Sequence, residues 1–106
     1  MIIVTTETIE GRKIEEVLGL VRGNTIRARN VGRDIMAGLR NIVGGEIKDY
    51  TRMLSQARDQ ALERMIRDAE AKGADAVVGM RFTTSQTMAG AAEILAYGTA
   101  VRLRER

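Results

Sequence analysis

The sequence contains no cysteine, no histidine, no proline and no tryptophan. Without cysteine there is no disulfide framework and no thiol nucleophile. Without histidine there is no Ser–His–Asp triad, and zinc, copper and nickel are left without the imidazole and thiolate ligands that hold them tightly. Without proline, the 11 glycines carry the punctuation of the chain. Aromatic side chains are scarce as well: Tyr50, Phe82 and Tyr97 are all there is to stack on a base. No apolar run approaches the roughly 20 residues that span a bilayer, the longest being 94–101.

Charge of one sign is also in short supply. The net charge of +3 comes from 17 basic and 14 acidic side chains spread thinly along the chain. A nucleic-acid binder concentrates its positive charge on one face. Here the densest groups are Arg27, Arg29 and Arg33, and the terminal Arg102, Arg104 and Arg106. Both clusters are small, which argues against a nucleic-acid partner. The chain opens on an apolar stretch with no basic region before it and Glu7 soon after, unlike a signal peptide, so the expected location is the cytoplasm.

What is present is a soluble composition, 44% hydrophobic and 29% charged, in 106 residues. That length holds one core, so residues 1–106 are read as a single domain. Residues 1–6 are rich in β-branched side chains and read as a short buried strand. Gly11 closes the turn after it. Alternation over 14–29 predicts one long strand with Gly23-Asn24 as a bulge or turn within it; a helix over 13–20 is the competing reading.

Asn30 has the chemistry of an N-cap, and Val31, Ile35, Leu39 and Ile42 follow at helical spacing toward Gly44-Gly45. This predicts a short amphipathic helix. From 46 to 72 there is neither glycine nor proline, and Ile47, Tyr50, Leu54, Ala57, Ala61, Met65 and Ala69 form one stripe. A long helix is expected there, with Glu63–Arg67 and Arg64–Asp68 ion pairs outside and Gly73 just past its end.

Residues 76–84 place Val78, Met80 and Phe82 on one face of a strand and Val77, Gly79 and Arg81 on the other. Residues 94–103 place Leu95, Tyr97, Thr99, Val101 and Leu103 on one face and Ala96, Gly98 and Ala100 on the other. The uncharged segment 85–92 reads as the loop of a hairpin between them. The alanine stripe of the long helix suits the small face of the last strand. The other sheet face is then left needing cover.

The fold class is therefore α+β: a small, mostly antiparallel sheet with one short and one long helix. A helix over 46–72 is about 40 Å long, whereas a compact domain of this size is only about 34 Å across. An overhanging helix and a sheet with two apolar faces predict a homo-oligomer.

The candidate sites are few. Arg33 and Asp34 on the short helix, with Tyr50 and Arg58 on the long one, could converge on a polar pocket for a ligand or for acid–base chemistry. The plainer reading is a set of structural ion pairs. Gly44 and Gly45 precede a helix start whose free amides can hold an anion, although a tight turn needing positive φ explains them as well. Glu15 with Glu16 and Glu46 with Asp49 lack the spacing of a calcium loop. Met36, Met53, Met65, Met80 and Met88 are scattered, and methionine at such positions is core filler. No metal ligands, cofactor or catalytic residues are assigned.

Several motifs resemble the YbjQ family: Leu18-Gly19-Leu20-Val21-x-Gly23, Arg33-Asp34-Ile35-x-Ala37-Gly38, Ile42-Val43-Gly44-Gly45-Glu46, Tyr50-Thr51-x-Met53-Leu54 and Ala57-Arg58. The likeness continues through Gly73-Ala74-Asp75-Ala76-Val77-Val78-Gly79 and Ala96-Tyr97-Gly98-Thr99-Ala100-Val101, spanning essentially the whole chain in the family's order. The resemblance implies a dodecin-subunit-like fold assembling into a pentameric ring. That family is uncharacterised and carries a heavy-metal-binding label, which a chain without His or Cys does not support. The function implied is a non-enzymatic ring that binds a small ligand or protein partner. The alternative is an enzyme of unknown reaction using carboxylate, Tyr and Arg groups at a subunit boundary.

Overall fold

The computed structural model describes residues 1–28, 42–43, 46–88 and 91–105. These residues hold six strands and one helix, in the order β1 (Ile2–Ile3), β2 (Arg12–Ala28), β3 (Ile42–Val43), β4 (Glu46–Ile47), α1 (Lys48–Ala71), β5 (Ala76–Met88) and β6 (Ala91–Glu105). Four strands form one mixed sheet, ordered β1-β5-β6-β2, and β3 with β4 forms a second, two-stranded one. Only the short β1 runs parallel to its neighbour; β6 is antiparallel to both β5 and β2.

The long helix forms where glycine and proline are absent, and it ends as the sequence predicts. Gly73 adopts a φ of 75°, and its N–H reaches the Glu70 carbonyl at 3.0 Å while that of Ala74 reaches Ala69 at 3.1 Å. This pair of bonds is the Schellman arrangement that satisfies the last carbonyls of a helix. Its start differs from expectation. Glu46 and Ile47 pair with Val43 and Ile42 instead of opening the helix. Ile42 therefore stands in a strand, not at the end of a short helix. The rest of that short helix, including Asn30, lies outside the described residues.

The core sits between α1 and one face of the large sheet. Ala57, Ala61, Met65 and Ala69 pack on Val21, Val77, Met80, Ile94, Ala96 and Ala100. The alanine stripe thus meets the small face of β6, as its spacing predicts. Contact is close enough that a Cβ on Gly23 would lie 2.7 Å from the Arg64 carbonyl carbon. Buried Thr25 donates its hydroxyl to the Ala57 carbonyl at 3.0 Å, fixing the same approach. Behind the sheet, Ala76, Val78, Val101 and Leu103 form a second cluster, roofed by Val4, Ile9 and Ile14.

Bulges settle which side chain faces where, and here the sequence reading needs correction. The strand β2 shifts register between Ile14 and Glu16 and between Val17 and Gly19, and not at Gly23-Asn24, which pair regularly with Ala96 and Leu95. β5 shifts between Val78 and Arg81, with Gly79 at a φ of 61°. An extra residue inverts the alternation beyond it. Val78 therefore joins the rear cluster while Met80 joins the helix side, although the plain alternation puts them together. The expected loop over 85–92 is largely strand, since β5 continues to Met88 and β6 starts at Ala91.

Candidate functional site

Of the expected pocket, Arg33, Asp34, Gly44 and Gly45 lie outside the described residues. Tyr50 has its backbone in α1, and its side chain lies outside the description. Arg58 is exposed and donates to the Ser55 hydroxyl one turn back at 3.2 Å. Arg58 is the one residue of these six whose side chain is described, so the expected convergence lies outside the described residues.

What the fold does present is the open half of the rear sheet face and two sheet edges. Alternation along β6 sends Leu95, Tyr97 and Thr99 to that face, opposite Asn24, Arg22 and Leu20 of β2. No element of the described residues covers it. Val17, Leu20 and Ile26 are 64%, 62% and 61% exposed, a high value for large aliphatic side chains gathered on one strand. Tyr97 stands between Arg22 and Arg81 in the cross-strand register. Arg81 is committed to the backbone, donating to the carbonyls of Thr5 and Met80, each at 2.8 Å. Asn24 donates to the Glu93 carboxylate at 3.2 Å.

The two edges are treated differently. Along β2, the Asp68 carboxylate accepts the Arg22 N–H at 3.1 Å, and the Arg64 guanidinium donates to the Asn24 carbonyl at 2.7 Å. The expected Arg64–Asp68 pair is thus absent. Arg64 turns to the strand, and Asp68 pairs with Lys72 at 3.1 Å. The Arg22 N–H, against a lesser opposing effect of desolvation and helped by Lys72, holds the Asp68 carboxyl below its ordinary value. Glu63 and Arg67 do pair, as their spacing predicts. Along β5, residues 81–88 are all exposed.

No chemistry of a tight metal site emerges. Among the described residues no three His, Cys, Asp or Glu side chains converge. Met53, Met65 and Met80 are buried in the core, as expected of filler, while Met88 stands exposed near the end of β5. A shallow groove beside the N-terminal segment, lined by Val4, Thr6, Thr8, Ile9 and Glu10, offers a single carboxylate. Among the described residues no helix is long and apolar enough to cross a membrane.

The sequence reading missed the β2 clamp but did leave the sheet face of Leu95 and Tyr97 needing cover. The apolar positions Leu20 and Ile26 were visible in it, but their facing depends on the bulge at Leu18.

Comparison with known proteins agrees with the whole-chain likeness. A family model named YbjQ_1 and described as "Putative heavy-metal-binding" matches residues 1–104. A UPF0145 protein of Archaeoglobus fulgidus is 68% identical over 104 residues, covering 98% of this chain and 96% of its own. A UPF0145 protein of Methanosarcina acetivorans is 59% identical over 106 residues, the full length of both. Among solved structures, a protein of unknown function from Pediococcus pentosaceus, of the DUF74 family, aligns with a TM-score of 0.71 at 18% identity. It covers 98% of each chain, and at that identity it speaks for the fold alone.

Proposed function

The chain belongs to the YbjQ family, and we propose that it works in the cytoplasm as a non-enzymatic homo-oligomer, five dodecin-like subunits closing into a ring that holds a small ligand or a protein partner. The observation that carries this reading is the uncovered apolar half-face of Val17, Leu20 and Ile26, beside Leu95 and Tyr97. Burying such side chains is worth about 1.5–3 kcal/mol each, and a second copy is the simplest source of cover. The subunit is also elongated. Its radius of gyration is 17.3 Å and its extents are 55 × 26 × 16 Å, against about 13 Å for a compact chain of this length.

An enzyme using acid–base groups calls for a carboxyl poised near neutral pH. Asp68 is pushed the other way, into a stabilised anion held by a strand N–H. That favours a structural role for it. The heavy-metal description finds no histidine or cysteine in this chain and no cluster of three carboxylates among the described residues.

Light scattering at micromolar concentration tests the reading. The expected mass is five times that of the 11.7 kDa chain, or a whole multiple of that where rings associate. Truncating Tyr97 or Phe82 to Ala should lower it, and a monomer mass for the unmodified protein would overturn the reading. Native mass spectrometry of protein from its own host then asks whether a small molecule or a partner chain travels with it.

A further inference from the structure

We infer that the outer edge of β5 is a strand-pairing site, and that its occupant is the same edge of a second copy, running antiparallel about a two-fold axis through Thr84. The inference rests on the self-assembly reading above but not on the number five. It starts from the contrast between the two edges of one sheet. The β2 edge is occupied at Arg22 and Asn24 by Asp68 and Arg64 of the helix. Among the described residues the β5 edge is paired only at its root, by β1 at Ala76 and Val77 and by the N–H groups of Gly79 and Met80, which reach the Thr6 and Val4 carbonyls at 2.8 and 3.0 Å.

Beyond that root, the ladder fixes which groups look outward. Groups facing one edge recur at every second residue of a strand. Met80 donates outward, so the N–H and C=O groups of Phe82, Thr84 and Gln86 look outward too. Arg81, Thr83 and Ser85 sit opposite Tyr97, Leu95 and Glu93 of β6 and turn their groups inward. Among the described residues nothing pairs with the outward set.

Free edges are normally blunted with lysine, glutamate or proline. Residues 82–88 read Phe-Thr-Thr-Ser-Gln-Thr-Met and contain none of the three. Each side chain of that run is exposed, because the helix packs chiefly over β2 and β6; Phe82, on the helix side, remains 43% exposed.

The run is also self-complementary. Setting Thr84 against Thr84 of the second copy places Phe82 opposite Gln86 and Gln86 opposite Phe82. Every outward residue then faces another outward residue, giving and accepting one backbone bond each. No charge within 82–88 meets a like charge across the axis, because the run has none. The β2 edge cannot serve as the partner in the same way, since Asp68 and Arg64 already occupy its middle. Within rings of five, the contact joins two rings back to back; without rings it gives a dimer.

The absence of cysteine makes the test clean. Residues opposed in a hydrogen-bonded antiparallel pair have Cα atoms about 5.5 Å apart, inside the roughly 4.4–6.8 Å that a disulfide spans. A Thr84→Cys variant should therefore oxidise to a covalent dimer on a non-reducing gel. Gln56→Cys, at an exposed position on the helix, should remain single and measures random collision. Thr84→Lys places two ammonium groups against each other across the axis. With an unchanged circular dichroism spectrum it should at least halve the native mass. Crosslinking of Thr84→Cys no faster than the Gln56→Cys control, or an undiminished mass for Thr84→Lys, overturns the proposal. Crosslinking without any multiple of five in the native mass retains the edge contact and removes the ring. A mass of five copies without crosslinking retains the ring and removes the edge contact.

Discussion

Arg22 donates its backbone N–H to the Asp68 carboxylate across 3.1 Å, tying the outer edge of β2 to the last turns of the helix 46 residues away. The bond lowers the Asp68 pKa, with Lys72 assisting and desolvation opposing. A carboxyl whose folded pKa lies below its unfolded value of about 3.9 stabilises the fold at every pH above that value. Its contribution is lost as pH falls through the folded pKa. Asp68→Asn should therefore reduce stability at pH 7 and flatten the acid limb below about pH 4. Solvent screening of this partly exposed group keeps the effect near ~0.5 kcal/mol. Urea midpoints measured from pH 2 to 7 on both proteins check it, and identical acid limbs would count against the clamp.

Gly23 is the closest approach of sheet and helix. A methyl group there meets helix backbone, 2.7 Å from the Arg64 carbonyl carbon, and backbone cannot swing away as a side chain can. Gly23→Ala should cost about 1–3 kcal/mol by pushing α1 off β2. Denaturant unfolding with fitted slopes reads the loss directly. The same variant should weaken the Thr25 bond to the Ala57 carbonyl, which faster amide exchange around Ala61 reports.

Gly73 ends the helix at a φ of 75°, where an L side chain is strained. Gly73→Ala should destabilise by about 1 kcal/mol. The space it would enter is already filled, since a Cβ there lies 2.8 Å from an Arg102 guanidinium nitrogen. Arg102 can move, so the loss should stay smaller than at Gly23. A ranking with Gly73→Ala the more damaging of the two would contradict this account.

Zinc, copper and nickel should bind weakly and without fixed stoichiometry. These ions gain most from imidazole and thiolate, and the chain has neither. Met53, Met65 and Met80 are locked in the core, and among the described internal methionines Met88 alone is exposed, the thioether best placed for Cu(I) in an assembly. Calorimetric titration checks the expectation. A sub-micromolar constant at one ion per subunit or per ring would overturn it, and its loss in Met88→Leu would assign the site.

Local rules made much of this fold legible. The long helix follows from a glycine- and proline-free run, its end from Gly73, and its docking from alanines set against Ala96, Gly98 and Ala100. Each depends on neighbours within a few residues or on matching sizes of two faces. The sheet's finer arrangement depends on partners far away in the chain. Orientation along the helix already favours Lys72 over Arg64 as the mate of Asp68, since there the acid precedes its base; the distant Asn24 carbonyl, which no local rule identifies, completes the choice by drawing Arg64 off. Nor does the sequence say that Glu46 and Ile47 belong to a strand, because their partners Val43 and Ile42 must first fold back on them. Of the six expected ligand residues, Arg58 alone has its side chain described, and it lies on the helix surface.

The sequence by itself therefore determined the long helix, the long strand β2, the small-on-small packing and the exclusion of thiol and imidazole chemistry, because these follow from residue type and period. Tertiary structure alone decided the bulges at Glu15, Leu18 and Gly79, and with them which apolar side chains are covered and which stand on the open face. It also decided that the helix guards the β2 edge and leaves β5 bare. A bulge is a mismatch in length between two paired strands, and an edge is a strand lacking a neighbour on one side. Neither is a property of any one segment.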